Sequence, residues 1–317
     1  MCEVCEHSDL LTQVEVNKYD PTRTTTLRNT MVSESNRRFN EIARLVRKAV
    51  DDEDCFGLKT LTHTLLETPG RDDFAFATDE QKISGFLLWL NEQVRKGLIT
   101  YEDIQEVGQS IYPLWTNKYI RQAYERGVSR AQSELRKAGY TLPEAVIGIG
   151  LISGAVHTER IGLLYARVYN ELKGITSAMI QQIGRVLAKG LMQDDSPHVI
   201  ARMLVAVITG EGVSELGLTD TLGRFIPARR RAEIMARTEI IRAHHLGSVQ
   251  EYRNWGVEGV KVLVEWVTAG DQRVCPLCAS LGGSVFTLDE IEGMIPIHMQ
   301  CRCAAIPSSK NVNKKSN

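Results

Sequence analysis

Cysteine and histidine residues near the carboxyl end of the 317-residue chain have the spacing of a metal site. A Cys-x-x-Cys pair is followed, after nineteen residues, by a second pair with the same internal spacing: Cys275 and Cys278, then His298 and Cys301. Each pair can present two ligands from one turn, and two such turns complete the tetrahedron in which zinc binds thiolates and imidazoles. The pattern predicts one zinc ion.

Cys303 is a fifth candidate for the four positions. In an extended segment residues two apart point to the same face, so Cys301 and Cys303 could both reach the ion. His298 would then be a ligand, a neighbour of the metal or a group with another role. We favour the set that contains His298 and Cys301, with Cys303 as the substitute.

Two other interpretations of the thiols stay open, a structural pair or disulfide and a redox pair. A redox Cys-x-x-Cys begins a helix after a strand in a thioredoxin-like unit, and the rest of that βαβ pattern is absent here. Four protein ligands make a zinc site structural, because catalytic zinc keeps one position open. The sequence therefore predicts structural zinc and no catalytic residue. Asp271 and Arg273 are predicted to fix the first turn as a carboxylate and its charge partner.

The elements that must position this cluster are mainly helical. Apolar residues recur at helical spacing over residues 33–50, 86–97, 116–138, 158–191 and 228–252. Alternating apolar residues over 260–267 predict a strand, and Thr287 with Glu290 has the form of a capping box. The predicted fold class is mainly α, a helical body followed by a small α+β carboxyl-terminal module stapled by the Cys/His zinc site.

This pattern divides the chain into five parts. They are a helical amino-terminal region of unassigned role (1–110), a helical middle domain (111–210), a glycine-rich linker (211–223), the module with the zinc knuckle (224–307) and a flexible tail (308–317).

Composition excludes several classes of protein. The chain is 43% hydrophobic and 24% charged with a net charge of −1, which argues against disorder and against a uniformly basic nucleic-acid wrapper. Its first residues lack the basic and apolar regions of a secretory signal. The longest apolar stretch, 145–156, contains three glycines and is shorter than the ~20 residues of a spanning helix, so we expect a buried connection and no stable membrane insertion.

The predicted helix over 228–252 lies in a basic region. Between Arg224 and Arg253 there are seven arginines and three glutamates, so this helix could contact DNA phosphates or an acidic partner surface. A solvated helix face is the simpler interpretation, and His244 and His245 are expected to have a packing or surface role. The candidate contact residues are Arg229, Arg230, Arg231, Arg237 and Arg242.

The ordered motif around the cluster resembles the Mu F-like minor head proteins of tailed phages. It consists of Ala236-Arg237-Thr238-Glu239, Trp266, Asp271-x-Arg273-x-Cys275-Pro276-x-Cys278, Gly282, Phe286 and Pro296-x-His298-x-x-Cys301-Arg302-Cys303. The resemblance is close over about 228–307 and looser over 116–210. Ile297-His298-Met299 departs from the more proline-rich approach to the cysteine that the family often shows, while the histidine position is kept.

The resemblance implies a minor capsid protein that associates with the portal and acts in head assembly and in DNA packaging or ejection. Its partners would be the portal protein, other head proteins and, further, the packaged DNA. It would reside in the virion head, and in the host cytoplasm during assembly.

Two alternatives come from the residues themselves. One is a small metal-dependent nuclease in which His298 activates water, although the region lacks a second histidine or an Asp/Asn cluster for a catalytic ion. The other is a DNA-binding zinc module that uses the arginine-rich helix. The prediction is a protein that is not an enzyme.

Overall fold

The computed structural model describes residues 20–59, 78–99, 114–137, 154–212, 225–256 and 262–308. Within these ranges the chain is mainly helical and ends in a small sheet, which confirms the predicted fold class. The helices are α1 (Thr25–Arg47, continued by a π-helical turn over Lys48–Asp52), α2 (Asp79–Leu98), α3 (Asn117–Lys137), α4 (Ala155–Met192), α5 (Pro197–Thr209), α6 (Ala228–Gly256), α7 (Pro276–Leu281) and α8 (Leu288–Ile291). The strands are β1 (Val264–Val267), β2 (Val285–Phe286) and β3 (Ala304–Pro307).

Local sequence accounts for several of these boundaries. Ser196 caps α5 by accepting a hydrogen bond from the Val199 N–H (3.4 Å), and Pro197 occupies the first helical position. The predicted capping box is confirmed, since the Thr287 side chain and the Glu290 side chain each bond the other's backbone N–H. Helix α1 begins eight residues earlier than predicted, because Leu27 and Met31 extend its buried face.

Helix α6 lies at the centre of the molecule. It packs against α1, α3, α4 and α5, and its apolar residues enter two different cores. Ile240 belongs to the core of the helical body, whereas Ile241 and Val249 belong to the core of the carboxyl-terminal module. Helix α6 is buried along most of its length, whereas Arg230 near its beginning is exposed and its other arginines are half-buried.

Two glycines allow α3 and α6 to approach backbone to backbone. A Cβ atom on Gly127 would lie 2.0 Å from the carbonyl oxygen of His244, and one on Gly247 would lie 2.4 Å from that of Tyr124. The Ser248 hydroxyl fills the same contact by donating to the Gly127 carbonyl (3.0 Å). Any side chain at either glycine would therefore push these helices apart.

Buried polar pairs fix how α3, α4 and α6 fit together. The Tyr124 hydroxyl and His157 Nδ1 are 2.9 Å apart, and the Gln132 amide donates to a Glu251 carboxylate oxygen at 2.9 Å. Buried polar groups must be satisfied, so an altered register of these helices would leave several of them unpaired. The pairs therefore specify one arrangement.

The carboxyl-terminal module is built on an antiparallel sheet of order β2-β1-β3. Trp266 of β1 is fully buried and packs edge-on against Phe286, with ring centroids 6.3 Å apart. The module's core continues onto α3 through Leu135 and onto α6 through Tyr252. The sheet is small, and the helical body supplies one wall of its core.

Several predictions fall outside the described residues. These are the apolar stretch up to residue 153, the linker over 213–223, the start of the predicted strand at 260–261 and the tail from 309. The division into domains stays a prediction. None of the helices in the described ranges has the length and hydropathy needed to cross a membrane.

Candidate metal centre

The first turn of the cluster runs from Asp271 into α7. Cys275 is the N-cap of α7, and its Sγ accepts a hydrogen bond from the Cys278 N–H (3.3 Å). Pro276 occupies the first helical position, where its missing N–H costs nothing. This local geometry turns both thiols of the Cys-x-x-Cys pair to one side.

The second turn is held by α6. Gln300 has a positive φ of 61°, and its N–H donates to the Thr238 hydroxyl at 2.9 Å. Arg237 donates to the side-chain oxygen of Gln300 (3.1 Å), and the Cys301 N–H bonds the His298 carbonyl (3.2 Å). Thr238 belongs to the Ala236–Glu239 part of the sequence motif, but the sequence alone does not indicate its role. The structure makes it an anchor of the turn.

Asp271 joins the two turns. It accepts hydrogen bonds from the Arg273 N–H (3.0 Å) and from the Arg273 side chain (2.9 Å), as the sequence predicted. It also forms a bidentate pair with Arg302, which lies between the last two cysteines (2.7 and 2.5 Å). These hydrogen bonds, first of all those from Arg302, hold the pKa of Asp271 well below its usual range.

The potential donor atoms lie in two overlapping groups. His298 Nε2 is 3.3 Å from Cys275 Sγ and 3.1 Å from Cys278 Sγ. The donor atoms of Cys278, Cys301 and Cys303 lie within 4.8 Å of one another. In a tetrahedral zinc site neighbouring donors are roughly 3.5–3.8 Å apart. The donors of each group are close enough together that either group could hold an ion. All five predicted ligands thus come together, and Cys278 belongs to both groups.

His298 is oriented to bind a metal through Nε2. Its Nδ1 lies 2.8 Å from the Met299 carbonyl oxygen, and when the neutral ring donates this hydrogen bond, Nε2 keeps a free lone pair. Such a hydrogen bond from the second ring nitrogen is what fixes metal-binding histidines in general. The ring is therefore arranged as a ligand.

The thiols influence one another strongly. A hydrogen bond from the Cys303 thiol lowers the pKa of Cys301, and the same interaction raises the pKa of Cys303. Burial raises the pKa of Cys278 to about 12, whereas the backbone N–H of Cys278 lowers the pKa of Cys275. Several neighbouring thiolates therefore repel one another, and a bound cation is what would stabilise them together.

The two histidines of α6 do not join the cluster. His245 is buried, and its Nε2 lies 2.9 Å from the carbonyl oxygen of Ile291 in α8. Burial lowers the pKa of His245 to about 4, so this histidine is neutral at pH 7. Ion pairs also connect the end of α8 to α4 and α6, since Glu292 binds Arg160 of α4 (2.6 Å) and Arg253 of α6 (2.8 Å). His245 therefore has the packing role that we expected.

The five candidate contact arginines already have partners within the protein. One of them, Arg237, reaches the metal turn. The partners are Asn40 for Arg229, Glu233 for Arg230, the Ile226 carbonyl for Arg231, Gln300 for Arg237 and Glu239 for Arg242. Their contact with DNA or a protein partner stays a prediction.

Comparison with known families places the cluster in a wider context. A family model described as phage Mu protein F like protein matches residues 181–306. The match supports the Mu F-like assignment for this part of the chain. The match begins within α4 and includes α5, α6, the sheet and all five candidate ligands. No curated protein and no solved structure matches the chain. The Mu F-like match supports a head-morphogenesis protein of a phage, in a family of structural proteins rather than enzymes.

Proposed function

We propose that the protein is a minor head protein of a tailed phage that associates with the portal and acts in head assembly and in DNA packaging or ejection. The observation that carries this proposal is the Mu F-like match over residues 181–306, which encloses the whole Cys/His cluster. The portal protein and other head proteins would be its partners, with packaged DNA as a further one. It would act in the virion head after assembly in the host cytoplasm.

The cluster's role in this proposal is structural. Zinc would be held by Cys275 and Cys278 from the first turn and by His298 with Cys301 from the second, or with Cys303 in place of one of them. The bound ion supplies the positive charge that keeps the thiolates together. The chain's own part is to tie the two turns to each other through Asp271 and to α6 through Thr238.

Quantitative mass spectrometry of purified heads tests this function. The chain is co-expressed with the portal and major capsid genes of its own phage, and heads are separated from free protein by density. We expect a few copies per head, and their number should follow the presence of the portal. Heads that contain the portal and lack this chain would contradict the proposal. Comparing filled virions with emptied ones then shows whether the protein leaves with the DNA.

A further inference from the structure

Two exposed apolar side chains lie next to candidate ligands in the two turns of the cluster. Leu277, in the first turn, is 51% exposed, and Met299, in the second, is 73% exposed. The turns abut, because Cys278 Sγ and His298 Nε2 are only 3.1 Å apart. A single exposed apolar residue is ordinary in a folded protein. Here two of them sit on adjoining turns that the ligand cluster and α6 hold in place.

Three arginines lie in these turns or bond to them. The Arg273 side chain, at the start of the first turn, is 78% exposed, and Arg302 lies in the second turn. Arg237 of α6 donates to Gln300, the neighbour of Met299, and has no acidic partner within ion-pair distance in the described part of the chain. The acidic group beside them is Asp271, which Arg273 and Arg302 share.

The surface stays basic with the metal bound. A zinc ion with three thiolates and one imidazole carries a formal charge of about −1. Together with Asp271 it offsets two of the three guanidinium groups, which leaves about one positive charge. The positive charge of these arginines also acts on the buried Arg28 of α1. Burial lowers the pKa of Arg28, the ion pair with Asp20 opposes this, and three nearby cations lower it further: Arg302, Arg237 and Arg273.

We propose that this knuckle face, made of Leu277, Met299, Arg237, Arg273 and Arg302, docks onto another head protein whose surface offers an apolar groove bordered by carboxylates. The inference rests on the proposed function and adds the surface through which the protein would bind its partner. Protein interfaces combine buried apolar anchors with charged groups at the rim, and arginine is enriched in them. Acidic side chains complement the arginines, and an apolar groove accommodates the two apolar side chains.

DNA fits the knuckle face less well. A phosphate backbone would pair with the arginines, but it would leave Leu277 and Met299 without an apolar surface to cover them. The chain's net charge of −1 also gives no general attraction to nucleic acid. A protein partner uses both features of the surface.

Site-specific cross-linking in assembled heads tests the inference. A photoreactive amino acid is placed at position 277 or 299, and at position 163 as a control, because Leu163 of α4 is 66% exposed and far along the sequence from the turns. Heads co-assembled with the portal and major capsid proteins are purified and irradiated, and cross-linked peptides are identified by mass spectrometry. We expect positions 277 and 299 to capture one head protein at a segment rich in Asp or Glu.

The outcomes separate this inference from the proposed function. Absence of the wild-type chain from heads contradicts both. Incorporation of the chain without cross-links from 277 and 299, or cross-links from them to DNA, overturns the inference alone. Cross-links that occur equally from position 163 also overturn it, because contact would then not be confined to the knuckle face.

Matched substitutions give an independent readout. Leu277→Ser and Met299→Gln should each lower the number of copies per head by about tenfold, as removal of an interface anchor does. The controls Leu163→Ser and Met192→Gln replace side chains that are at least as exposed as Leu277 and Met299. They should change the number of copies per head by less than about twofold. Zinc content and circular dichroism of each variant confirm its fold. Knuckle variants that keep their zinc and enter heads normally would contradict the inference.

Discussion

At the residue scale, Thr238 shows how a single hydroxyl connects the central helix to the metal centre. It accepts the hydrogen bond of the Gln300 N–H and donates its own hydrogen to the Ile234 carbonyl (2.7 Å). Gln300 comes directly before Cys301, so this contact sets the position of a candidate ligand. Contacts of this kind support a metal site from outside its ligand set.

Thr238→Ala should lower the free energy of unfolding by about 1–3 kcal/mol, because the Gln300 N–H loses its partner. Thr30→Ala is the matched control, since Thr30 is an exposed helical threonine whose hydroxyl only donates to the Thr26 carbonyl (2.9 Å). Urea denaturation of the zinc-loaded proteins measures both changes. Equal effects of the two substitutions would show that the Thr238 contact contributes nothing specific.

His245 makes stability depend on pH. Its folded pKa of about 4 lies below its unfolded value of about 6.5, so the unfolded chain binds more protons between these values. Stability should therefore fall as the pH drops below 6.5, and this histidine accounts for about 2 kcal/mol between pH 7 and pH 5.

His245→Gln keeps a side-chain donor for the Ile291 carbonyl and removes this titration. The variant should lose about 2 kcal/mol less than the wild type over that pH interval, measured by urea denaturation at saturating zinc. His198→Gln, at an exposed position, serves as the control. An unchanged pH dependence in His245→Gln would contradict the assignment.

The sequence could predict the five candidate ligands, because the spacing within each pair is a local property. It could not predict the contacts that hold the turns. Thr238 and Gln300 are 62 positions apart, and Asp271 and Arg302 are 31 apart. Such partners become apparent only when the helices and the sheet have been packed. The choice among the five ligands depends on the same packing and stays a prediction.

At the element scale, the crossing of α3 and α6 determines where the module can sit. Gly127→Ala and Gly247→Ala should each destabilise the protein by about 1–3 kcal/mol, because the added methyl group meets backbone that cannot move locally. Gly162→Ala, where nothing lies within 4 Å of the added carbon, should stabilise helix α4 by up to about 1 kcal/mol. Thermal melting compares the three variants. A neutral Gly127→Ala would refute the close crossing.

Two helices show where sequence patterns are and are not sufficient. Gly174 and Gly184 lie inside α4, yet this helix runs unbroken from Ala155 to Met192. Each glycine costs about 1 kcal/mol in a helix, and packing along the buried stripe of α4 outweighs that cost. In α6 the charges indicated a solvated face, but its apolar residues enter two cores, and Arg229 and Arg237 bond to other parts of the chain while Arg230 and Arg242 pair with glutamates of α6 itself.

At the scale of the whole molecule, α6 contributes residues to both cores. Loss of the metal should therefore destabilise α6 as well as the carboxyl-terminal module. The module's sheet is small and buries much of its core against α3 and α6. Removing zinc with a chelator should therefore raise amide hydrogen exchange over residues 262–308 and then along α6, because a structural ion contributes folding free energy. Exchange in α2, which is remote from the module's core, should stay unchanged. Equal protection of 262–308 with and without chelator would contradict a structural role for the ion.

The zinc content of the full-length chain tests the central claim most directly. Protein purified without added metal should contain about one zinc per chain by elemental mass spectrometry. Cys278→Ser should lose it, because Cys278 belongs to both groups of donor atoms. Cys55→Ser should keep it, because the half-buried Cys55 packs against the helical core instead. A folded wild-type chain without zinc, or the same zinc content in Cys278→Ser, would contradict the account.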